Sequence, residues 1–185
     1  MTTTFKLYSS LLLCLALTLM SGCGSGLTSA ERTKANKILA DNGKNAIQHY
    51  VDFEGSNDGD LDFKYIKYFV SKGADVNAGG GSPLRRMASL GNLKAVRFLV
   101  SKGAHVNEER YDGKTLLHDA VRSGNIEIVK FLVSKGADVN AKTEKRLNHP
   151  GGETPLDLAK QEGWLDDENT KKGKKEIAEY LSGLK

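Results

Sequence analysis

The sequence predicts an all-α fold, a solenoid of stacked helix–turn–helix units, and three observations predict it. The pentapeptide Val-Ser-Lys-Gly-Ala recurs at Val70, Val100 and Val133, and each copy runs on into Val-Asn, at Val76-Asn77, Val106-Asn107 and Val139-Asn140. A second signature occurs at Ser82-Pro83-Leu84, Thr115-Leu116-Leu117 and Thr154-Pro155-Leu156; Ser82 to Val100 and Thr115 to Val133 both span 18 residues, while Asn77 to Ser82, Asn107 to Thr115 and Asn140 to Thr154 span 5, 8 and 14. Rigid units joined by loops of unequal length are how stacked repeats behave. Within the constant part, Leu93, Val96 and Leu99, and again Ile126, Val129 and Leu132, keep helical apolar spacing.

The chain has 185 residues, 39% hydrophobic and 27% charged, which fits one globular domain plus a short leader and excludes a disordered chain. Its formal charge of +4 is spread along the sequence rather than gathered in one block, so no nucleic-acid partner is expected.

In chain order, the leader comes first. Lys6 precedes the apolar run from Leu11 to Met20. That run is shorter than the roughly 20 residues needed to span a bilayer and has the length of a signal-peptide core, so residues 1–22 are expected to be a signal peptide. Leu19-Met20-Ser21-Gly22-Cys23 resembles the lipobox of bacterial lipoproteins, departing from it at Met20, where that family usually has Leu. The resemblance implies cleavage before Cys23 and acylation of Cys23, and Gly24 in place of Asp implies the outer membrane. An ordinary cleaved signal with an incidental cysteine is the alternative. On the lipoprotein reading Cys14 leaves with the signal and Cys23 carries lipid, so the mature chain keeps no free thiol and no disulfide. More than one acyl chain would make the anchoring stable. Residues 23–35, small and polar, are expected to be a flexible tether.

The folded domain is then expected over 36–185. A partial first repeat spans 61–78, with Phe63 to Phe69 in its second helix; the segment from Asn36 to Val51 is expected to be the partner of that helix and to cover the first face of the stack. Further repeats span 79–108 and 109–141, and a modified last one 142–185. Ser82, Thr115 and Thr154 can cap the first helices, and Pro83 and Pro155 fall at the first helical position. Gly91, Gly124 and Gly163 can end those helices in left-handed turns; Gly73, Gly103 and Gly136 can end the second helices likewise. In the last repeat Trp164 to Lys175 reads as an insertion between the two helices.

Thr115-Leu116-Leu117-His118-Asp119-Ala120 resembles the Thr-Pro-Leu-His-x-Ala signature of ankyrin repeats, and Gly136-Ala137-Asp138-Val139-Asn140-Ala141 matches that family's inter-repeat loop. The resemblance covers about Asp60 to Lys185 and implies an all-α ankyrin-repeat solenoid. It also implies protein binding through the finger tips and the exposed face of the first helices. Carried over position by position, it points to Tyr111, Asp112 and Lys114 on a finger. On the first helices it points to Arg86, Ser89, Leu90, Asp119, Arg122, Ser123, Gln161 and Glu162. Tyr and Arg are residue types that dominate interface energetics, and Leu90 stands where a polar residue is expected. The long finger from Lys142 to Gly152, with Arg146, Leu147 and His149, projects farther than its neighbours.

No catalytic constellation emerges. The resemblance implies a structural role for His118, whose counterparts in the neighbouring repeats are Arg85 and Asp157; His49, His105 and His149 lack metal-ligand spacing. Residues 54–62 resemble a calcium loop in their alternating oxygen ligands, but the twelfth position, where a bidentate acid belongs, is Tyr65, so a polar turn is expected. Gly79-Gly80-Gly81-Ser82 lacks the lysine of a phosphate loop. Lys171, Lys172, Lys174 and Lys175 are offset by Asp166, Asp167 and Glu168 and read as a solvated loop, with contact to anionic lipid as the rival reading. The expectation is an exported, membrane-anchored, monomeric module of the cell envelope, on its periplasmic or surface face, with no cofactor, no metal and no enzymatic activity. It would bind one protein partner as an inhibitor, immunity-type factor or scaffold. The alternatives are a structural envelope protein without a discrete partner, or an enzyme or calcium-binding protein using the inserted loops.

Overall fold

The computed structural model describes residues 26–56, 58–145, 151–161, 163 and 166–184, without the side chains of 80–82. The expected signal peptide, Cys14 and Cys23 lie outside the described residues, as do Arg146, Leu147, His149, Glu162 and Trp164. No described helix is long and apolar enough to cross a membrane.

The chain begins with α1 (Ser29–Asn42), then a short 3-10 turn (Gly43–Asn45) and α2 (Ala46–His49), which runs on as a π-helical turn (Tyr50–Glu54). The tether expected over 23–35 is therefore helical from Ser29 onward. Thr28 and Glu31 form a capping box, with the Glu31 N–H donating to Thr28 Oγ1 at 3.3 Å and the Thr28 N–H to Glu31 Oε2 at 2.6 Å. Ala35 and Ile38 bury one face of the helix. The single covering segment expected from Asn36 to Val51 is instead two helices, broken at Gly43. Of these, α2 with its π turn is the first helix of a complete first repeat, and α3 (Gly59–Ser71) is the second. Asp58 caps α3 by accepting from the N–H groups of Asp60 and Leu61. Tyr50 and Tyr65 stack with ring centroids 4.6 Å apart, which joins the two helices.

The next repeats are α4 (Ala78–Ser89) with α5 (Leu93–Ser101), and α6 (Leu116–Arg122) with α7 (Ile126–Ser134). Pro83 does not start α4, contrary to expectation: the helix begins at Ala78 and Pro83 lies inside it. With so few residues between Asn77 and Pro83, the chain does not loop out as a finger and joins the helix directly. Gly79, at φ 65°, absorbs the irregular first turn. Gly91 and Gly124 make the expected left-handed turns, at φ 70° and 68°.

The last repeat departs further. Pro155 does open its helix, α8 (Pro155–Lys160), behind a Thr154–Asp157 capping box. Gly163 is not left-handed; its N–H instead donates to Asp166 Oδ2 at 2.7 Å. The insertion expected from Trp164 to Lys175 is mostly helix, because α9 (Glu168–Ser182) starts behind the Asp167 cap. The lysine cluster is thus helical and not a loop, and Lys174 is buried, with its ammonium 2.5 Å from Asp166 Oδ2. The extension lies on the Gly124 turn so closely that a Cβ at Gly173 would fall 1.9 Å from the Gly124 carbonyl oxygen.

The first helices α2, α4, α6 and α8 form one layer and the second helices α3, α5, α7 and α9 the other, with α1 packed against α2 and α3. No strand occurs among the described residues. The core runs unbroken between the layers, through Ile47, Phe69, Met87, Leu99, Leu117, Leu132 and Ile177. Asparagines lace the repeats together at both ends of the second helices. Asn92 and Asn125 cap α5 and α7 through Oδ1, while their amide groups donate backward to the carbonyls of Gly59 and Gly91 at 2.9 and 3.0 Å. At the other end, Asn77 and Asn107 donate forward to the carbonyls of Gly103 and Gly136 at 3.1 and 2.7 Å. They also accept from the N–H groups of His105 and Asp138.

Candidate functional site

The first helices line an open groove of about 620 Å³. Six residues singled out in the sequence meet there: Arg86 and Ser89 from α4 with Leu90 at its C-terminal cap, and Asp119 and Arg122 from α6 with Ser123 at its C-terminal cap. Val51 and Asp52 from the π turn, Arg85 from α4 and Arg110 from the finger complete the lining. Tyr111, Asp112 and Lys114 follow Arg110 on that finger. Tyr111 is 72% exposed, with the Arg110 guanidinium 5.3 Å from its ring centroid. Asp112 sits between Arg110 and Lys114, 3.6 and 3.7 Å away. Burial would raise its pKa, but the Lys114 N–H and these two cations together hold its carboxyl below the usual range. Gln161 is apart from the groove, bonded to Glu153 Oε1 at 2.7 Å, and Glu162 lies outside the described residues.

Asp119 is a correction to the expected exposed face. It is only 5% exposed, because Arg85 Nη1 covers its carboxylate at 2.6 Å. Arg85 also donates to the carbonyls of Glu108 and Lys114. Arg86 is half-committed in the same way: its Nε donates to Asp62 Oδ2 at 2.9 Å and its Nη2 to the Ser56 carbonyl. Asp62 is wholly buried, and its Oδ1 accepts from the Tyr50 hydroxyl, the Ser56 N–H and the Ser56 hydroxyl. Burial first, and the Asp62 charge second, push the Tyr50 phenol far above its ordinary pKa, so it remains a donor. The turn that resembled a calcium loop is thus spent on a helix cap and a buried clamp. Leu90 packs its side chain partly on the core, which accounts for an apolar residue at that place. Arg122 is exposed and Ser123 bonds the Ala120 carbonyl.

Sequence reasoning missed Arg85 and Arg110 as groove residues. The signal for Arg85 was its place in the repeat, since it stands where the next repeat has His118. The three residues at this place do three different jobs. Arg85 pairs with Asp119, Asp157 caps α8, and His118 accepts the Thr115 N–H on Nδ1 at 3.1 Å. That bond leaves the His118 proton on Nε2, which donates to the Glu153 carbonyl at 3.1 Å. Burial holds the His118 pKa below its ordinary value of about 6.5. The unfolded state therefore takes up a proton that the folded state resists. Stability from this residue is complete above about pH 6.5 and falls as the pH drops through the ordinary histidine range. Chemical denaturation at a series of pH values between about 7 and 5 checks this, and His118→Gln should flatten the slope.

A second cleft, of about 500 Å³, opens on the last repeat among Lys160, Lys171, Lys172, Lys174 and Lys175. Lys171 pairs with Glu168 and Lys174 with Asp166. Among the described residues no three His, Cys, Asp or Glu side chains converge to hold a metal ion.

Residues 56–143, from the turn before α3 to the base of the long finger, match the family model for ankyrin repeats in three copies. This stretch is an ankyrin-repeat array. The match covers just under half of the chain, and α2 and the last repeat, which carry the departures described above, lie beyond its two ends. A search of curated proteins found no match. Ankyrin repeats mark a protein-binding module in general terms, and in this array the first helices line the Arg-rich groove.

Proposed function

We propose that this protein is an exported, lipid-anchored binding module that takes one protein partner in the groove of its first helices, with Tyr111 at the rim. The observation that carries the reading is the convergence of Arg86, Ser89, Leu90, Asp119, Arg122 and Ser123, from consecutive repeats, on one groove. A surface built from several rigid helices is preorganised, and preorganisation lowers the cost of binding. The leader and the Cys23 lipobox support a periplasmic or surface site of action, most simply the outer membrane. There the module would act as an inhibitor or immunity-type factor for an exported protein, or as an envelope scaffold.

Crosslinking and affinity capture of the tagged, lipidated protein from its native envelope tests this, with a Tyr111→Ala/Arg122→Ala version beside it. The expected result is one stoichiometric partner, lost in the double variant, with the protein itself in the membrane fraction. A folded protein that captures nothing would overturn the binding reading. A soluble protein with unmodified Cys23 would overturn the anchor.

A further inference from the structure

We infer that the segment of the partner seated in this groove is acidic, presenting Asp or Glu carboxylates to Arg122 and Arg110; this rests on the groove being the binding surface. The basis is a mismatch between donors and acceptors at the groove surface. Three of its four carboxylates are already paired with cations. Asp62 and Asp119 lie beneath Arg86 and Arg85 and accept from them, and Asp112 is shared by Arg110 and Lys114; the exposed Asp52 accepts from the neutral Gln48 amide and keeps its charge.

The guanidiniums above them are not consumed. Each carries five N–H donors and no acceptor. Arg86 spends Nε and one Nη2 proton inward, and its Nη1 has no hydrogen-bond partner among the described residues. Arg110 holds Asp112 loosely, at 3.6 Å, and donates from Nη2 to the Tyr111 hydroxyl at 3.5 Å, which leaves most of its donors for a partner. Arg122 is exposed and has no ion-pair or hydrogen-bond partner among the described residues. The groove therefore offers an excess of cationic donors over a partly apolar floor of Leu90 and Val51, with Asp52 its one carboxylate not paired to a cation among the described residues. Carboxylates are the side chains that satisfy such donors two at a time, because the guanidinium fork fits both oxygens. Arg85 and Arg86 are held in place by their buried acids, so little rotamer freedom remains to be lost there on binding. A basic segment would add like charge, and a neutral one could offer only carbonyl and hydroxyl oxygens, which bind a guanidinium more weakly than a carboxylate does.

The test is an NMR titration of the isotope-labelled full chain with a synthetic peptide of alternating glutamate and alanine, reading the arginine Nε–H signals. A glutamine-for-glutamate peptide serves as control. Saturable shifts at Arg122 and Arg110 with the acidic peptide alone are expected, weakened at least about tenfold in Arg122→Gln and lost at about 0.5 M NaCl, where screening reaches a few ångströms. Lys175→Gln, in the other cleft, should leave the shifts unchanged. Equal binding of the glutamine peptide, shifts confined to the lysine cleft, or no saturable shift into the millimolar range would each overturn the acidic assignment. Crosslinked capture does not depend on the partner's charge. A captured partner attached at the groove alongside a failed acidic titration would therefore leave the binding function standing and remove only this inference.

Discussion

Asp62→Ala is expected to lower the unfolding free energy by about 3 kcal/mol, the lower end of the cost of breaking a buried ion pair, because Asp62 is wholly buried while the Arg86 side chain remains 25% exposed. The carboxylate is completely buried and ties three segments together: Tyr50 of the π turn, Ser56 of the following turn and Arg86 of the next repeat. Without it the Tyr50 hydroxyl and the Arg86 guanidinium lose their shared partner, and unsatisfied buried donors are costly in their own right. The loss should be partly recovered in Asp62→Leu/Arg86→Met, where both charges leave together and apolar contact replaces them. Urea melts of the three proteins measure this. A single variant within about 1 kcal/mol of the parent, the scale of an exposed pair, would show that the pair behaves as a surface ion pair and that the first repeat is held by its apolar contacts alone.

Leu132→Ala in α7 is expected to cost about 2–5 kcal/mol, the range for removing a fully buried leucine side chain. Leu132 has no exposed surface and sits between the two layers, where α7 meets the repeats on either side. In a stacked array each repeat is stable only through its neighbours, so a cavity in the central repeat weakens both flanking interfaces at once. With so few repeats to share the damage, loss of cooperative unfolding is expected near physiological temperature. Thermal melts followed by circular dichroism check this, and an unchanged transition would mean that the buried face of α7 is misassigned.

Much of this architecture was legible from spacing. Val-Ser-Lys-Gly-Ala and the Thr-x-Leu signature repeat because every internal unit must bury the same face against the same neighbour. The stacking layers impose that periodicity on the residues between Ser82 and Ala141. The ends were harder to read. At the N-terminal end α2 carries no Thr-Pro-Leu signature, and its burial rests on Ala46, Ile47 and Tyr50, which have no counterpart to be compared with. At the C-terminal end, Lys171 to Lys175 read as a loop because their charge hides the one stripe, Gly173, Lys174, Ile177 and Leu181, that α9 buries. The asparagines at 77, 92, 107 and 125 recur in the sequence, yet only their partners across the repeat boundary explain the recurrence.

The candidate site divides the same way. Which helix face carries Arg86, Ser89, Leu90, Arg122 and Ser123 follows from the repeat register, because helical periodicity is a local property. Whether a charge on that face is free or spent is not local. Asp119 shares the helix face of Arg122, but Arg85 from the preceding repeat covers it, and Asp62 binds an arginine 24 residues away in sequence. Local interactions along the chain specified the repeat, its caps and its helices. Contacts between repeats decided which carboxylates were neutralised, and hence which arginines remain to meet a partner.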